Sequence, residues 1–168
     1  MRSRTIDTPI GPVTLAGGDR LRHVVMAGQT HEPDDRGWRD DPGAFQDVVD
    51  QLDAYFAGDL EEFDVDIELI GTEFQQAVWH GLRAIPYGET WSYGQLAHHI
   101  GRPTAVRAVG LANGRNPVAI IVPCHRVIGV DGSMTGYGGG IERKVALLRL
   151  ERALDGQGVL ELGAEARR

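Results

Sequence analysis

The one cysteine of the chain, Cys124, is followed directly by His125 and Arg126. An ionised thiol is the strongest nucleophile among the ordinary side chains, and an imidazole is a common acceptor for its proton. These residues therefore indicate covalent chemistry at the sulfur, with Arg126 adding a positive potential that favours the thiolate. The alternative is a buried structural cysteine. A Pro-Cys-His-Arg sequence at the end of an apolar run is, however, an unusual way to fill a core.

A nucleophile of this kind also needs a group that orients its histidine. Neighbouring residues of an extended chain point to opposite faces, so His125 can act on Cys124 only through a sharp turn, a bridging water or a neighbouring helix. We expect the orienting carboxylate to be Glu151, in the helix predicted for residues 141–154. Other acids in this half of the chain keep the choice open, namely Glu73, Glu89, Asp131 and Glu142.

The elements around the cysteine are predicted from composition. The apolar run from Val118 to Val122 is bounded by prolines, which predicts a short buried strand that breaks into a turn at Cys124. Residues 132–140 hold five glycines and predict a loop whose backbone approaches a ligand closely. No Walker lysine–hydroxyl pair follows that loop, which argues against a phosphate site.

Two short helices are predicted at residues 92–100 and 104–114, joined by Gly101-Arg102-Pro103. This arrangement is typical of a helix-turn-helix, although plain helical hairpins share it. A further helix begins after Thr72, which has the side chain of an N-cap. The second helix of the hairpin is rich in small residues, which allow a partner to approach closely.

The charge distribution favours a polyanionic partner for this half of the chain. The net charge is −7, but residues 1–71 carry 16 acidic and six basic residues, whereas residues 72–168 carry eight acidic and 11 basic ones. Residues 90–130 contain no acid at all and include four arginines. Chance clustering is the alternative. A surface that faces a nucleic acid would have this composition.

The N-terminal half reads as three strands within residues 4–27, an acidic loop at 29–42, a one-sided helix at 44–56 and an alternating strand at 63–70. Its predicted role is structural. We expect an N-terminal α/β domain at residues 1–71, a C-terminal domain at 72–155 and a tail at 156–168. No secretory signal or membrane span is evident, and a single free thiol fits the cytoplasm.

A nucleophilic cysteine suits either a hydrolase or a transferase. A hydrolase usually pairs its cysteine with a histidine distant in sequence, and a DNA-facing helical hairpin has no use in a peptidase. The combination fits an electrophile on a damaged base that is turned out of the duplex.

The segment Pro123-Cys124-His125-Arg126-Val127-Ile128-Gly129 resembles the active-site motif of the O6-alkylguanine-DNA alkyltransferases. The similarity extends from Thr8-Pro9-Ile10-Gly11 to Glu151. The resemblance implies an α+β protein with a small ribonuclease-H-like N-terminal α/β domain. Its mainly helical C-terminal domain would carry a helix-turn-helix of winged-helix type. It also implies direct reversal of DNA damage, in which an alkyl group passes irreversibly from guanine O6 to the protein's own cysteine.

By this resemblance Cys124 is the alkyl acceptor, His125 is the base that acts through a water, Glu151 polarises His125, and Asn116 braces the turn. Arg107 matches an arginine finger that replaces the flipped nucleotide, and Tyr93 matches a tyrosine that donates to the base. The remaining expected DNA contacts are Ser92, Ala105 and Arg115. The carbonyls of Cys124 and Val127 would hold the guanine amine. The segment from Met134 to Gly139, with Tyr137, Gly138 and Gly139, would form the pocket wall.

One departure concerns Gly138, since some relatives have a serine there. The smaller residue suggests a pocket that accepts alkyl groups larger than methyl. The resemblance implies no cofactor and no metal, and its partner is double-stranded DNA that contains O6-alkylguanine, with O4-alkylthymine a weaker expectation. It leaves cooperative self-association on DNA open. The rival functions are an alkyltransferase-like lesion-binding module, which lacks the cysteine, and a helix-turn-helix regulator, which leaves the Cys-His turn unexplained.

Overall fold

The structure is a computed structural model that describes residues 1–134 and 137–154 of the 168-residue chain. The predicted tail at 156–168 lies outside the described residues, as do Thr135 and Gly136 of the predicted pocket wall. Within the described ranges, no helix is both long enough and apolar enough to cross a membrane.

A mixed sheet forms the N-terminal half. Its strands are β1 (Arg2–Thr8), β2 (Gly11–Gly17), β3 (Leu21–Met26) and β4 (Arg39–Asp40), in the order β3-β2-β1-β4. The pairs β1–β2 and β2–β3 are antiparallel, and β4 runs parallel to β1. The three long strands agree with the prediction. The two-residue β4 lies inside the region predicted as a loop. It was not predicted because so short a strand has no periodic pattern in the sequence.

Helix α1 (Gln46–Phe56) packs against β1 and buries the apolar face that its sequence pattern predicts, with Val48, Val49, Leu52 and Tyr55. Residues 63–70 keep the predicted alternation, since Val65 and Ile67 are buried. They join the sheet through only one bridge, between Leu21 and Ile67, so the predicted strand is wrong in extent. The side chains of this segment therefore alternate between buried and exposed positions although its backbone forms no continuous hydrogen-bonded ladder.

The C-terminal half is mainly helical. Its elements are α2 (Glu73–Leu82), β5 (Trp91–Ser92), α3 (Tyr93–His99), α4 (Val106–Gly114), β6 (Val127–Ile128) and α5 (Ile141–Leu150). Thr72 caps α2 as predicted, and it forms a reciprocal capping box with Gln75. The parallel pair β5–β6 has no counterpart in the predictions. An α/β half followed by a helical half confirms the predicted α+β class.

Helices α3 and α4 form the predicted hairpin. Gly101 in the connecting turn has φ 77°, a left-handed conformation that glycine adopts without strain. Helix α4 begins at Val106 rather than at Thr104. It turns Val109 and Ala112 inward, whereas Arg107 is exposed and Leu111 keeps 70% of its surface exposed. The outer face of α4 is therefore available to a partner.

The segment Val118–Val122 is not the predicted strand. It is fully buried but forms consecutive turns, with Ile120 at φ 73° and with Val118 as its single bridged residue. The side chain of Asn116 closes this loop, because its Oδ1 accepts from Val118 N–H (3.0 Å) and its Nδ2 donates to the Val122 carbonyl (2.7 Å). Buried apolar runs do not distinguish a strand from a loop whose backbone groups are satisfied internally.

Three of the hydrogen bonds between the N-terminal half and the active-site region flank Cys124 or reach Glu151. Val24 of β3 donates its N–H to the Pro117 carbonyl at 2.9 Å, and Thr30 donates to the Gly138 carbonyl at 2.8 Å. The third contact, from Tyr55 of α1, reaches the carboxylate of Glu151. The core is continuous across both halves. The N-terminal half therefore supports the segment on both sides of Cys124.

Candidate active site

Cys124 begins a single turn of 3-10 helix that ends at Arg126, and only 6% of its surface is exposed. Two asparagines fix this turn. Asn113 Nδ2 donates to the Cys124 carbonyl at 3.4 Å, and Asn116 holds the preceding carbonyl of Val122. Asn116 therefore lies where the resemblance expects a brace, and it acts together with a second amide that the sequence did not indicate.

The thiol of Cys124 sits in a low-dielectric site. Burial raises its pKa, whereas a hydrogen bond with the Asn116 side chain, the positive charge of Lys144 and a hydrogen bond with Tyr137 act in the opposite direction. Burial outweighs the other contributions, so the resting group is the protonated thiol. Since the thiolate is the nucleophile, the site needs a nearby proton acceptor before the sulfur can attack.

His125 is fully buried, and its Nε2 lies 2.7 Å from Oε2 of Glu151. Burial lowers the pKa of His125 against the opposing pull of Glu151, so the imidazole is neutral at physiological pH. An ionised carboxylate can only accept, which places the proton of the neutral ring on Nε2. Nδ1 is then an acceptor, and it has no hydrogen-bond partner among the described residues. The ring is thus held at one nitrogen and open at the other.

Glu151 caps the C-terminus of α5, and 1% of its surface is exposed. Besides His125, its carboxylate accepts from Arg126 Nε at 2.8 Å, from Arg126 Nη2 at 3.1 Å and from the Tyr55 hydroxyl at 2.5 Å. Burial alone would raise the pKa of Glu151, but His125 and Arg126 outweigh it and lower the pKa to about 2. The carboxylate is therefore ionised, although it lies in the interior.

Lys144 of α5 places a second cation near the thiol. The side chain is completely buried, its Nζ donates to the Val127 carbonyl at 2.6 Å, and it lies 5.9 Å from the centre of the Tyr137 ring. Burial lowers its pKa to about 8, while the proximity of Cys124 favours the charged form. Lysine is almost never fully buried without a partner. Here the positive charge opposes the cost of forming a thiolate in the interior.

The two carbonyls expected to hold the guanine amine already have partners. Val127 O accepts from Lys144, and Cys124 O accepts from Asn113 and from the Val127 N–H. A carbonyl has two lone pairs, so Val127 retains capacity for a further donor. Their role towards a base stays a prediction.

A small cavity of about 20 Å³ borders Cys124. It is lined from the C-terminal half by Asn113, Asn116 and the predicted wall residues Tyr137, Gly138 and Gly139, and from the N-terminal half by Met26, Gln29 and Thr30. Met134 does not border it. The Met134 side chain packs with Ile128, Val145 and Leu148 in a separate apolar cluster.

The two glycines of this wall differ in what they tolerate. A Cβ on Gly139 would lie 2.5 Å from Met26 Cε and 2.7 Å from the Tyr137 ring, so a side chain there would have to displace both neighbours. A Cβ on Gly138 would meet carbonyl oxygens of Gly114 and Thr30 at an ordinary 3.7 Å. Residue 138 is therefore not restricted to glycine by packing.

The predicted DNA contacts lie on α3 and α4 and at their ends. Ser92 caps α3 by accepting from Gln95 N–H, Ala105 precedes α4 and Arg115 follows it. Arg107 is exposed in the first turn of α4. Tyr93 is half-buried, and burial followed by the proximity of Cys124 raises its pKa. Arg107 and Arg115 face outward.

Family models match both halves of the chain. The 6-O-methylguanine DNA methyltransferase ribonuclease-like domain matches residues 1–69, and the DNA binding domain of the same description matches residues 73–153. The chain belongs to the 6-O-methylguanine DNA methyltransferase family. Membership of this family confirms the resemblance stated from the cysteine motif, and with it the class of enzyme.

Individual proteins similar to this chain carry descriptions that agree with this family. The chain is 65% identical over 151 residues to a methylated-DNA–protein-cysteine methyltransferase of Mycobacterium bovis, covering 89% of this chain and 92% of the relative. A protein of the same description from Methanosarcina acetivorans is 52% identical over 147 residues, covering 86% and 94%. The solved structure of Mycobacterium tuberculosis OGT in complex with DNA superposes with a TM-score of 0.87, at 62% identity, over 91% of this chain and 94% of that one.

Three residues around the thiol and Glu151 were missed by sequence reasoning, namely Tyr55, Asn113 and Lys144. Tyr55 reads as one more apolar residue on the buried face of α1, and Lys144 as a polar residue in a helix. Arg126 was noted for its charge, but its pairing with Glu151 was not foreseen. The available signal was that Lys144 lies three and four residues before Leu147 and Leu148, on a helix face where a lysine is uncommon.

The buried carboxylate predicts a specific pH dependence of stability. Glu151→Gln leaves Arg126 buried without a counter-charge, which should lower the free energy of unfolding at neutral pH by about 3–5 kcal/mol. The folded-state pKa of Glu151 lies below its usual 4.5, so the carboxylate contributes fully above that pH and loses its contribution as the pH falls towards about 2. The difference between wild type and variant should therefore shrink below about pH 4.5.

Urea unfolding at a series of pH values measures this difference. Glu142→Gln, on the exposed first turn of α5, is the matched control and should show no such dependence. A wild-type advantage over Glu151→Gln that stays constant down to the lowest pH would contradict an ionised, paired Glu151.

Proposed function

We propose that this protein repairs double-stranded DNA by moving an alkyl group from O6 of guanine to Sγ of Cys124. The observation that carries the proposal is a buried thiol at a cavity, next to a neutral imidazole whose Nδ1 has no hydrogen-bond partner among the described residues. The descriptions of the curated relatives, methylated-DNA–protein-cysteine methyltransferases, support the same acceptor and the same class of donor.

In the proposed reaction, His125 takes the thiol proton at Nδ1. A water is proposed to carry the proton between them, because Nδ1 makes no direct hydrogen bond to the thiol or to any other described group. The S–C bond forms as the bond between carbon and O6 breaks, and the electron pair of the broken bond passes to the guanine. The proton held on His125 then returns to the departing base. Glu151 stabilises the transient imidazolium, and Lys144 stabilises the thiolate.

The product is a thioether, which thiols do not cleave by exchange. The chain contains one cysteine, so it has no second thiol for a disulfide-type cycle either. Each molecule is therefore proposed to act once. A second function is not needed to explain the site, because a lesion-binding module or a transcription regulator would have no use for a buried thiol beside a proton acceptor.

The depth of Cys124 requires base flipping. The sulfur is nearly inaccessible, and the adjoining cavity of about 20 Å³ has room for little more than one water molecule. A base within the duplex cannot reach it, so the target guanine must leave the stack and the pocket must widen around it. Arg107 on the exposed face of α4 is proposed to fill the vacated space from the minor groove.

Other contacts are proposed to hold the DNA without reading its sequence. Ser92, Ala105 and Arg115 would contact the backbone of the duplex, and Tyr93 would donate to the extruded base. A lesion can occur in any sequence, so backbone contacts suit the task. Several further expectations stay predictions. For the reaction, they are cooperative self-association on DNA, action on O4-alkylthymine and a pocket that accepts larger alkyl groups. For the protein as a whole, they are a cytoplasmic location and the domain limits at residues 71 and 155.

Intact-mass measurement tests the acceptor. Wild-type protein mixed with duplex DNA containing O6-methylguanine should gain the mass of one CH2 unit, and peptide mapping should place the gain on Cys124. Cys124→Ala should gain nothing while retaining affinity for the same duplex. A mass gain by the alanine variant would show that another residue is the acceptor.

Replacement of Arg107 tests the mode of DNA engagement. Arg107→Ala should lower both the affinity for lesion-containing duplex and the single-turnover rate, because the flipped state loses its support. A fluorescent base analogue at the lesion should report less extrusion. Arg39→Ala changes the net charge equally but lies in β4, and it should leave all three readouts unchanged. Equal effects of the two variants would show that Arg107 contributes only its positive charge and does not support the flipped state.

A further inference from the structure

Tyr55 is the one contribution of the N-terminal helix α1 to the catalytic carboxylate. The residue has no exposed surface, and its hydroxyl lies 2.5 Å from Oε2 of Glu151, a residue 96 positions further along the chain. Because an ionised carboxylate is only an acceptor, the phenol is the donor. The sequence had assigned the N-terminal half no chemistry.

The donors to Glu151 are unevenly arranged. Oε1 accepts from Arg126, whereas Oε2 accepts from His125, Arg126 and Tyr55 together. His125 and Arg126 belong to the same turn and therefore constrain the carboxylate from one element. Tyr55 approaches from a different element. Its hydroxyl is the donor that holds the group against that turn.

Tyr55 is itself rigid. Its ring packs against Phe56, Phe63 and Tyr87 at centroid distances of 5.2, 5.2 and 6.4 Å. Burial and then the negative charge of Glu151 raise the pKa of Tyr55 far above its usual value, so the hydroxyl keeps its proton at every physiological pH. A fixed ring with a permanent donor is suited to orienting another group.

We propose that Tyr55 is a positioning residue for alkyl transfer, whose hydroxyl aligns Glu151 with His125 and limits how strongly the carboxylate attracts the imidazole proton. The proposal rests on the function proposed above and deepens it by giving the N-terminal half a part in the reaction. It assigns no contact with DNA or with the alkyl group to Tyr55.

The physical consequence concerns the basicity of His125. Each donor to Oε2 shares the negative charge of the carboxylate, so removing one makes Glu151 a stronger acceptor for the Nε2 proton and favours the imidazolium. The titratable and charged groups that face this pair from the packed elements are Arg126 of the turn, Lys144 of α5, Tyr87, Tyr137 and Tyr55. Of these, Tyr55 is the neutral hydroxyl on Oε2.

Tyr55→Phe removes the hydroxyl and keeps the ring. In single-turnover transfer from O6-methylguanine duplex, measured across pH, the plateau rate should fall about tenfold, the scale of one hydrogen bond to a charged group. The midpoint of the acidic limb should also move to higher pH, because a more basic His125 is protonated earlier and cannot accept the thiol proton.

Tyr87→Phe is the matched control. Tyr87 belongs to the same aromatic cluster, and its hydroxyl donates to the Leu150 carbonyl at 3.3 Å instead of to Glu151. Its plateau rate and midpoint should equal those of wild type. Urea unfolding of both variants separates a loss of stability from a loss of rate. A Tyr55→Phe protein with the wild-type rate and midpoint would overturn the proposal, as would identical changes in both variants.

A second variant keeps the test decisive if Tyr55→Phe folds poorly. Fluorotyrosine at position 55 retains the ring and makes the hydroxyl a stronger donor, so the midpoint should move to lower pH. A shift in the other direction, or none, would contradict the proposal. These results stay distinct from failure of the proposed function itself, in which wild-type protein would gain no alkyl group on Cys124.

Discussion

The structure depends on one ionised carboxylate kept in the protein interior. Removing a charge from water costs several kcal/mol, and the charge is stable there only if its partners are close and well aligned. Glu151 meets this requirement through His125, Arg126 and Tyr55, which come from two distant elements, while Glu151 itself ends α5. The turn that carries Cys124 is fixed because its next two side chains are both committed to this carboxylate.

The same constraint explains the chemistry. With Nε2 of His125 held by Glu151, the other nitrogen is left as the acceptor, and a buried thiol with a raised pKa needs such an acceptor. Lys144 supplies the positive charge that a thiolate requires in this environment. In the proposed mechanism, the His125–Glu151 pair and the positive charge of Lys144 together allow a cysteine that is unreactive at rest to become nucleophilic.

The sequence predicted well what is local. The cap of α2, the apolar faces of α1 and α2, the α3–α4 hairpin and the Cys-His turn follow from patterns a few residues long. The strand expected at Val118–Val122 failed because composition records burial, whereas the Asn116 side chain decides that the segment closes on itself. Tyr55 could not be found from its own pattern, since a tyrosine on an apolar helix face looks the same whether its hydroxyl reaches solvent or a carboxylate 96 residues away.

One observable, the position of the imidazole proton, tests the roles proposed for both Glu151 and His125. Nitrogen-15 NMR of protein labelled at histidine, with His125 assigned by comparison with His125→Gln, reports this position directly. We expect a neutral ring across physiological pH, with the proton on a strongly hydrogen-bonded Nε2 and with Nδ1 unprotonated. A ring protonated on Nδ1, or an imidazolium in the resting protein, would contradict the proposal that Glu151 prepares His125 to receive the proton of Cys124.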